Sequence, residues 1–221
     1  MPFPVSPASA SSIDPASHAA VPAWVRPLAA GAQWACIAFL LIVLALQFLR
    51  PDLDWMRTPL SFYLVGPYGP LLQGAYGLLS LGLMGLGVSA YRSGAIQARS
   101  AAPLLLFVVA GIALAVTALA ETPFPGRALT LQGLVHGLAA QTAFLCVTVA
   151  MLLQAWRWRA DPGFRHRFAT AFSLAALCFL ALWVHVLARD LPRGASQKAV
   201  IALIGFWLLW VSGWVSRDRR A

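Results

Sequence analysis

Six stretches of this chain are free of Asp, Glu, Lys and Arg and dense in Leu, Ala, Val and Phe. They run Leu28–Leu49, Gly69–Tyr91, Ala101–Ala120, Leu131–Gln154, Phe168–Leu187 and Val200–Val215. A bilayer core of ~30 Å needs about 20 apolar residues from a spanning helix, and these stretches approach or meet that length. Strands of a membrane barrel are shorter and alternate apolar with polar residues, a pattern absent here. The pattern therefore predicts an all-α integral membrane bundle of about six transmembrane helices.

Composition agrees. Hydrophobic residues make up 60% of the 221 residues and charged residues only 10%, with a mean hydropathy of +0.76. Soluble domains carry about 25% charged residues, so this chain cannot dress a water-facing surface. The net charge of +9 does not mark a nucleic-acid surface, because the basic residues sit at the ends of the apolar runs as topology anchors. Cys36, Cys146 and Cys178 all lie inside apolar runs, which argues for small core side chains rather than a disulfide framework.

The organisation reads as a disordered tail over residues 1–27, a transmembrane domain over 28–216 and a basic end over 217–221. The Pro-, Ser- and Ala-rich tail lacks the basic and apolar regions of a cleavable signal. Orientation follows from the positive-inside rule. The tail, the second–third and fourth–fifth loops and the C-terminus together hold ten Lys and Arg, and the remaining segments hold six. Both termini are thus expected in the cytoplasm, and the cytoplasmic membrane of a bacterium is the expected location. Helix packing is expected to use the glycines of span two and Gly133-x-x-x-Gly137 of span four, since small residues let membrane helices approach closely.

The polar residues then carry the functional information, because they are expensive in lipid. Four groups fall on the side opposite the termini. The first loop supplies Asp52, Asp54, Arg57 and Ser61, with Thr58-Pro59 as a helix start and the short helix after it as a lid. Span three ends at Glu121, followed by Arg127. Span four opens with Thr130, Gln132 and His136, and span five closes with His185 and Arg189. A rise of 1.5 Å per residue puts His136 roughly 8 Å beyond the start of its span. His185 lies roughly 3–5 Å before the end of its own. Spans four and five run oppositely, so the two imidazoles are expected to meet in one layer.

The run Glu121-Thr-Pro-Phe-Pro-Gly-Arg-Ala-Leu-Thr130-Leu-Gln-Gly133-Leu-Val-His136, with Ala139, Ala140 and Phe144 after it, resembles the multi-span membrane family called domain of unknown function 998. Pro59-Leu-Ser61 and Gly66-Pro67-Tyr68-Gly69 ahead of span two are similar to that family as well. The resemblance covers roughly Leu28 to Val215 and implies a topology, not an activity. Three functions fit the residues. The first is an outward-facing polar pocket that binds or translocates a lipid or small amphiphile. The second is a membrane-embedded hydrolase or transferase whose divalent metal is held by His136, His185 and Glu121; zinc sites of this kind use three protein ligands and an open position. The third is a haem protein with His136 and His185 as the axial pair.

Overall fold

The computed structural model describes residues 21–122, 126, 128 and 130–217. Within them there are six long helices and no strand. They are α1 (Val25–Leu49), α2 (Gly69–Ser93), α3 (Ala101–Leu119), α4 (Leu131–Arg157), α5 (Phe168–Leu187) and α6 (Arg193–Ser216). All six are long and apolar enough to cross a membrane. Large apolar side chains such as Phe48, Leu81, Leu105, Leu131, Leu180 and Phe206 stay exposed, one or more on every helix. In water that surface would be a liability; in acyl chains it needs no cover.

Each helix packs on the next in the chain, and α6 returns to pack on α1. The bundle is therefore a closed ring. Small residues set its tightest contacts. A Cβ on Gly87 of α2 would come within 2.8 Å of the Phe107 Cβ, and one on Gly111 of α3 within 2.7 Å of the Ser80 carbonyl oxygen. The expected packing role is corrected at three glycines: a Cβ on Gly74 or Gly77 of α2, or on Gly137 of α4, would meet nothing within 4 Å. That side of α4 faces open space rather than a neighbour.

Helix α5 matches its predicted bounds, and four others shift by one to three residues. Val25–Pro27, expected in the tail, belong to α1. Residues 1–20 of that tail and 218–221 of the basic end lie outside the described residues. Helix α6 departs most, beginning at Arg193 rather than Val200. Its two extra turns are polar, and they persist because other segments satisfy them. The Ala195 N–H donates to the Met56 carbonyl at 2.8 Å. Lys198 Nζ donates to the carbonyls of Trp55 (2.7 Å) and Thr58 (2.9 Å).

The two ends of the ring are closed differently. At one end Trp158 stacks on Phe164 at 5.0 Å between centroids and on Trp207 at 6.5 Å. Trp207 in turn stacks on Phe107 at 6.3 Å and donates its indole N–H to the Ala171 carbonyl. Arg157 locks this end from outside by donating to the carbonyls of Gln97, Ala98 and Arg99. We call this the aromatic end. The opposite end carries the first loop and is the cap end.

Candidate functional site beneath the first-loop cap

The cap is built by a few strong polar contacts. The α1 helix stops at Leu49, and the Arg50 guanidinium folds back against Asp52, with Nε 2.8 Å from Oδ1 and Nη2 2.7 Å from Oδ2. Its remaining Nη1 donates to the Val65 carbonyl at 2.7 Å. One arginine thus ties the start of the loop to its end. The same hydrogen bonds hold the Asp52 carboxyl below its ordinary pKa. Gly66 completes the turn with φ +105°, in the left-handed region where a side chain is strained. A Cβ there would also lie 2.9 Å from Arg50 Nη1.

Between these ends a 3-10 helix, Leu60–Leu64, buries Leu60, Tyr63 and Leu64 against the bundle. The expected short helix over the mouth is present, with Ser61 on its first turn. Its start differs: Pro59 occupies the cap position without a side-chain bond, its carbonyl accepting from the Phe62 N–H at 3.2 Å. Three further contacts seat the helix. The Gln197 side-chain oxygen accepts from the Leu60 N–H at 2.7 Å. Tyr63 donates its hydroxyl proton to Gln47 Oε1 at 3.0 Å. Thr122 Oγ1 donates to the Ser61 carbonyl at 3.0 Å. Burial pushes the Tyr63 phenol above its ordinary pKa.

Gly194 lets α6 come this close. A Cβ on it would lie 2.5 Å from the Thr58 oxygen and 2.7 Å from the Trp55 oxygen.

Beneath the cap lies a cavity of about 100 Å³ inside the ring. Helices α1, α2, α3, α4 and α6 and the cap helix line it; α5 contributes nothing. The cap side of its wall is polar, with Ser61, Thr117, His136 and Gln197, while Leu83, Val147 and Leu208 make its deep wall apolar. No Asp, Glu, Lys or Arg lines it among the described residues.

His136 is only 4% exposed. Its Nδ1 sits 3.1 Å from the Ala120 carbonyl at the end of α3. A carbonyl oxygen has no proton to give, so Nδ1 carries the hydrogen and donates it. Nε2 makes no hydrogen bond among the described residues. The same holds for the Ser61 and Tyr76 hydroxyls, and for the Gln197 amide NH₂, whose oxygen partner is used by Leu60. Ser61 and Gln197 are half-buried and Tyr76 and His136 are buried, and all four line the cavity. Four lining residues thus present unspent hydrogen-bonding capacity.

The remaining predicted site residues are placed elsewhere. His185 is buried, but its Nδ1 lies 2.8 Å from Ser196 Oγ on α6, and its carbonyl accepts from Arg193. It staples α5 to α6 and does not line the cavity. Of the two imidazoles expected in one layer, only His136 lines the cavity. Glu121 is exposed. Among the described residues no group of three or more His, Cys, Asp or Glu side chains is placed to hold a metal ion. The set of His136, His185 and Glu121 is therefore not assembled, and the axial pair a haem would need does not share a cavity.

Asp54 caps the turn after it, accepting from the Met56 N–H at 2.8 Å, and pairs loosely with exposed Arg57 at 3.7 Å. Asp52 is spent on Arg50. Thr130 caps α4 by accepting from the Gly133 N–H at 3.0 Å. Gln132 and Arg189 are exposed. Arg127 lies outside the described residues.

Sequence reasoning missed Tyr76, Thr117 and Gln197. A tyrosine in mid-span was a signal, since the aromatic belt places tyrosines at span ends. Gln197 gave none, because it precedes the apolar run.

A family model described as "Protein of unknown function (DUF998)" matches residues 34–214. The chain belongs to that family. The match takes in α2 to α5 whole, most of α1 and α6, the cap and every described cavity-lining residue. No curated protein and no solved structure matches the chain. Membership of DUF998 carries no activity, so a function has to be argued from the site.

Proposed function

We propose that this DUF998 protein binds a small amphiphile, or the end of a lipid, in the cavity beneath the cap. One observation carries the reading: unpaired polar groups on Ser61, Tyr76, His136 and Gln197 stand above an apolar floor. An occupant with a polar end and an apolar body satisfies both halves at once. Pockets between helices of a bundle commonly serve such ligands. The Lys and Arg distribution, ten against six, supports a cap on the extracytoplasmic side of what we take to be a bacterial cytoplasmic membrane. The cap would then govern access from outside, and the aromatic end would close the route inward.

Native mass spectrometry after gentle extraction tests the proposal. Wild-type protein should retain an adduct that Ala143→Leu loses, because Ala143 lines the cavity and a larger side chain would fill it. A wild type that carries no adduct, or an A143L variant that keeps it, overturns the reading.

A further inference from the structure

We propose that the polar end of the occupant is a neutral hydroxyl group. This inference rests on the cavity being a binding site and goes on to the chemical class of what fills it.

The hydrogen-bonding inventory sets the class. His136 donates through Nδ1 to the Ala120 carbonyl, so in the neutral ring Nε2 is an acceptor. An imidazolium would bury a charge in a cavity whose described lining holds no carboxylate. Gln197 spends its oxygen on the Leu60 N–H, so its NH₂ is left as a donor. The Tyr76 phenol, 6% exposed, and the Ser61 hydroxyl can each give a proton. The site therefore asks for one proton and offers several.

A hydroxyl group matches: it donates to His136 Nε2 and accepts from Gln197 or Tyr76. An ether or ketone only accepts, which leaves Nε2 unpaired. A carboxylate or phosphodiester also only accepts, and these and any other phosphate bring an unpaired charge. An ammonium brings an uncompensated charge and takes nothing from Gln197. Size narrows the class further. At about 100 Å³ the cavity is smaller than the ~150 Å³ that takes benzene. The occupant is thus the hydroxyl-bearing end of a chain whose remainder, like that of 1-pentanol, extends beyond the cavity.

The test uses the full chain in nanodiscs with ¹⁵N-labelled histidine, the His136 signals being assigned by their loss in His136→Leu. Three probes are titrated: 1-pentanol; butyl methyl ether, its isomer without the hydroxyl; and pentanoate. Pentanol should shift the Nε2 resonance saturably, with the ether and pentanoate at least about tenfold weaker, the scale of one buried hydrogen bond. Tyr76→Phe removes a hydroxyl that has no hydrogen bond among the described residues, so the fold should stand. It should weaken pentanol about threefold to tenfold and the ether by no more, since both can accept from Tyr76. Saturable binding with the ether equal to the alcohol, or with pentanoate preferred, overturns the hydroxyl class and leaves the cavity reading intact. If none of the three saturates, both fall together.

Discussion

The cap end and the aromatic end close the same ring of helices by different physics. At the aromatic end the filling is done by large flat side chains, Trp158, Phe164, Trp207 and Phe107, packed face to face. The price is one buried indole N–H, Trp158 Nε1, without a hydrogen bond among the described residues. At the cap end backbone carbonyls and long polar side chains form a cover, and a void remains beneath it. Dispersion between packed atoms is lost wherever a void stands. An end that keeps a cavity therefore gives up packing that the other end retains. The difference teaches that polar groups in this membrane protein serve two distinct ends. Arg50, Asp52 and Lys198 of the cap end are used in holding a loop, while Ser61, Tyr76, His136 Nε2 and the Gln197 NH₂ are left open to the cavity.

The largest break in that contrast should come from Trp158→Ala. Removing a fully buried indole that joins three aromatic neighbours should cost about 3–5 kcal/mol, read from unfolding in bicelles. Loss below ~1 kcal/mol would mean that the stack is not what closes this end. Next in size is Gly194→Ala, whose new methyl would press on two loop carbonyls. Overpacking of this kind costs about 1–3 kcal/mol, and protease cleavage within the first loop should rise with it. Unchanged cleavage would show the cap to be held elsewhere.

A matched pair on one helix sharpens the comparison. Ala143 lines the cavity, and Ala150 lies two turns nearer the aromatic end with no exposed surface. Leucine at 150 should destabilise by about 1–3 kcal/mol, while leucine at 143 should stay within ~1 kcal/mol of wild type because space is already present. Equal costs at the two sites would remove the asymmetry.

The smallest effect expected is one of pH. Asp52 titrates below its ordinary value of 3.8 because Arg50 hydrogen-bonds its carboxylate. A lowered folded pKa means that the pair's contribution is complete at neutral pH and is lost as pH falls through that lowered value. Pepsin cleavage of the first loop should therefore rise at the acid extreme, below 3.8, and Asp52→Asn should cleave at the higher rate throughout. The Arg157 contacts at the other end go to backbone carbonyls, which do not titrate.

The helices were legible because their signal is a bulk one. A run of about 20 uncharged apolar residues has one stable state in a bilayer, whatever its neighbours are. His136 was legible for a related reason: a lone imidazole in such a run stands out against its surroundings. The rest of the candidate site was less so. Asp52 and Arg50 read as a charged loop, and only their contact turned them into a latch. His185 had the same credentials as His136, yet Ser196 on the next helix takes its Nδ1. Gln197 lay in a polar stretch that gave no hint of becoming helix.

Sequence by itself determined the six spans and the family of this chain, since hydropathy over a helix length is a local property that lipid reads directly. Tertiary structure alone decided which polar groups are spent and which stay open, and that two extra polar turns of α6 are helical. A hydrogen bond needs its partner within about 3 Å. Here the partners sit up to 190 residues apart in the chain, as Arg26 and Ser216 do, so only folding could bring them together.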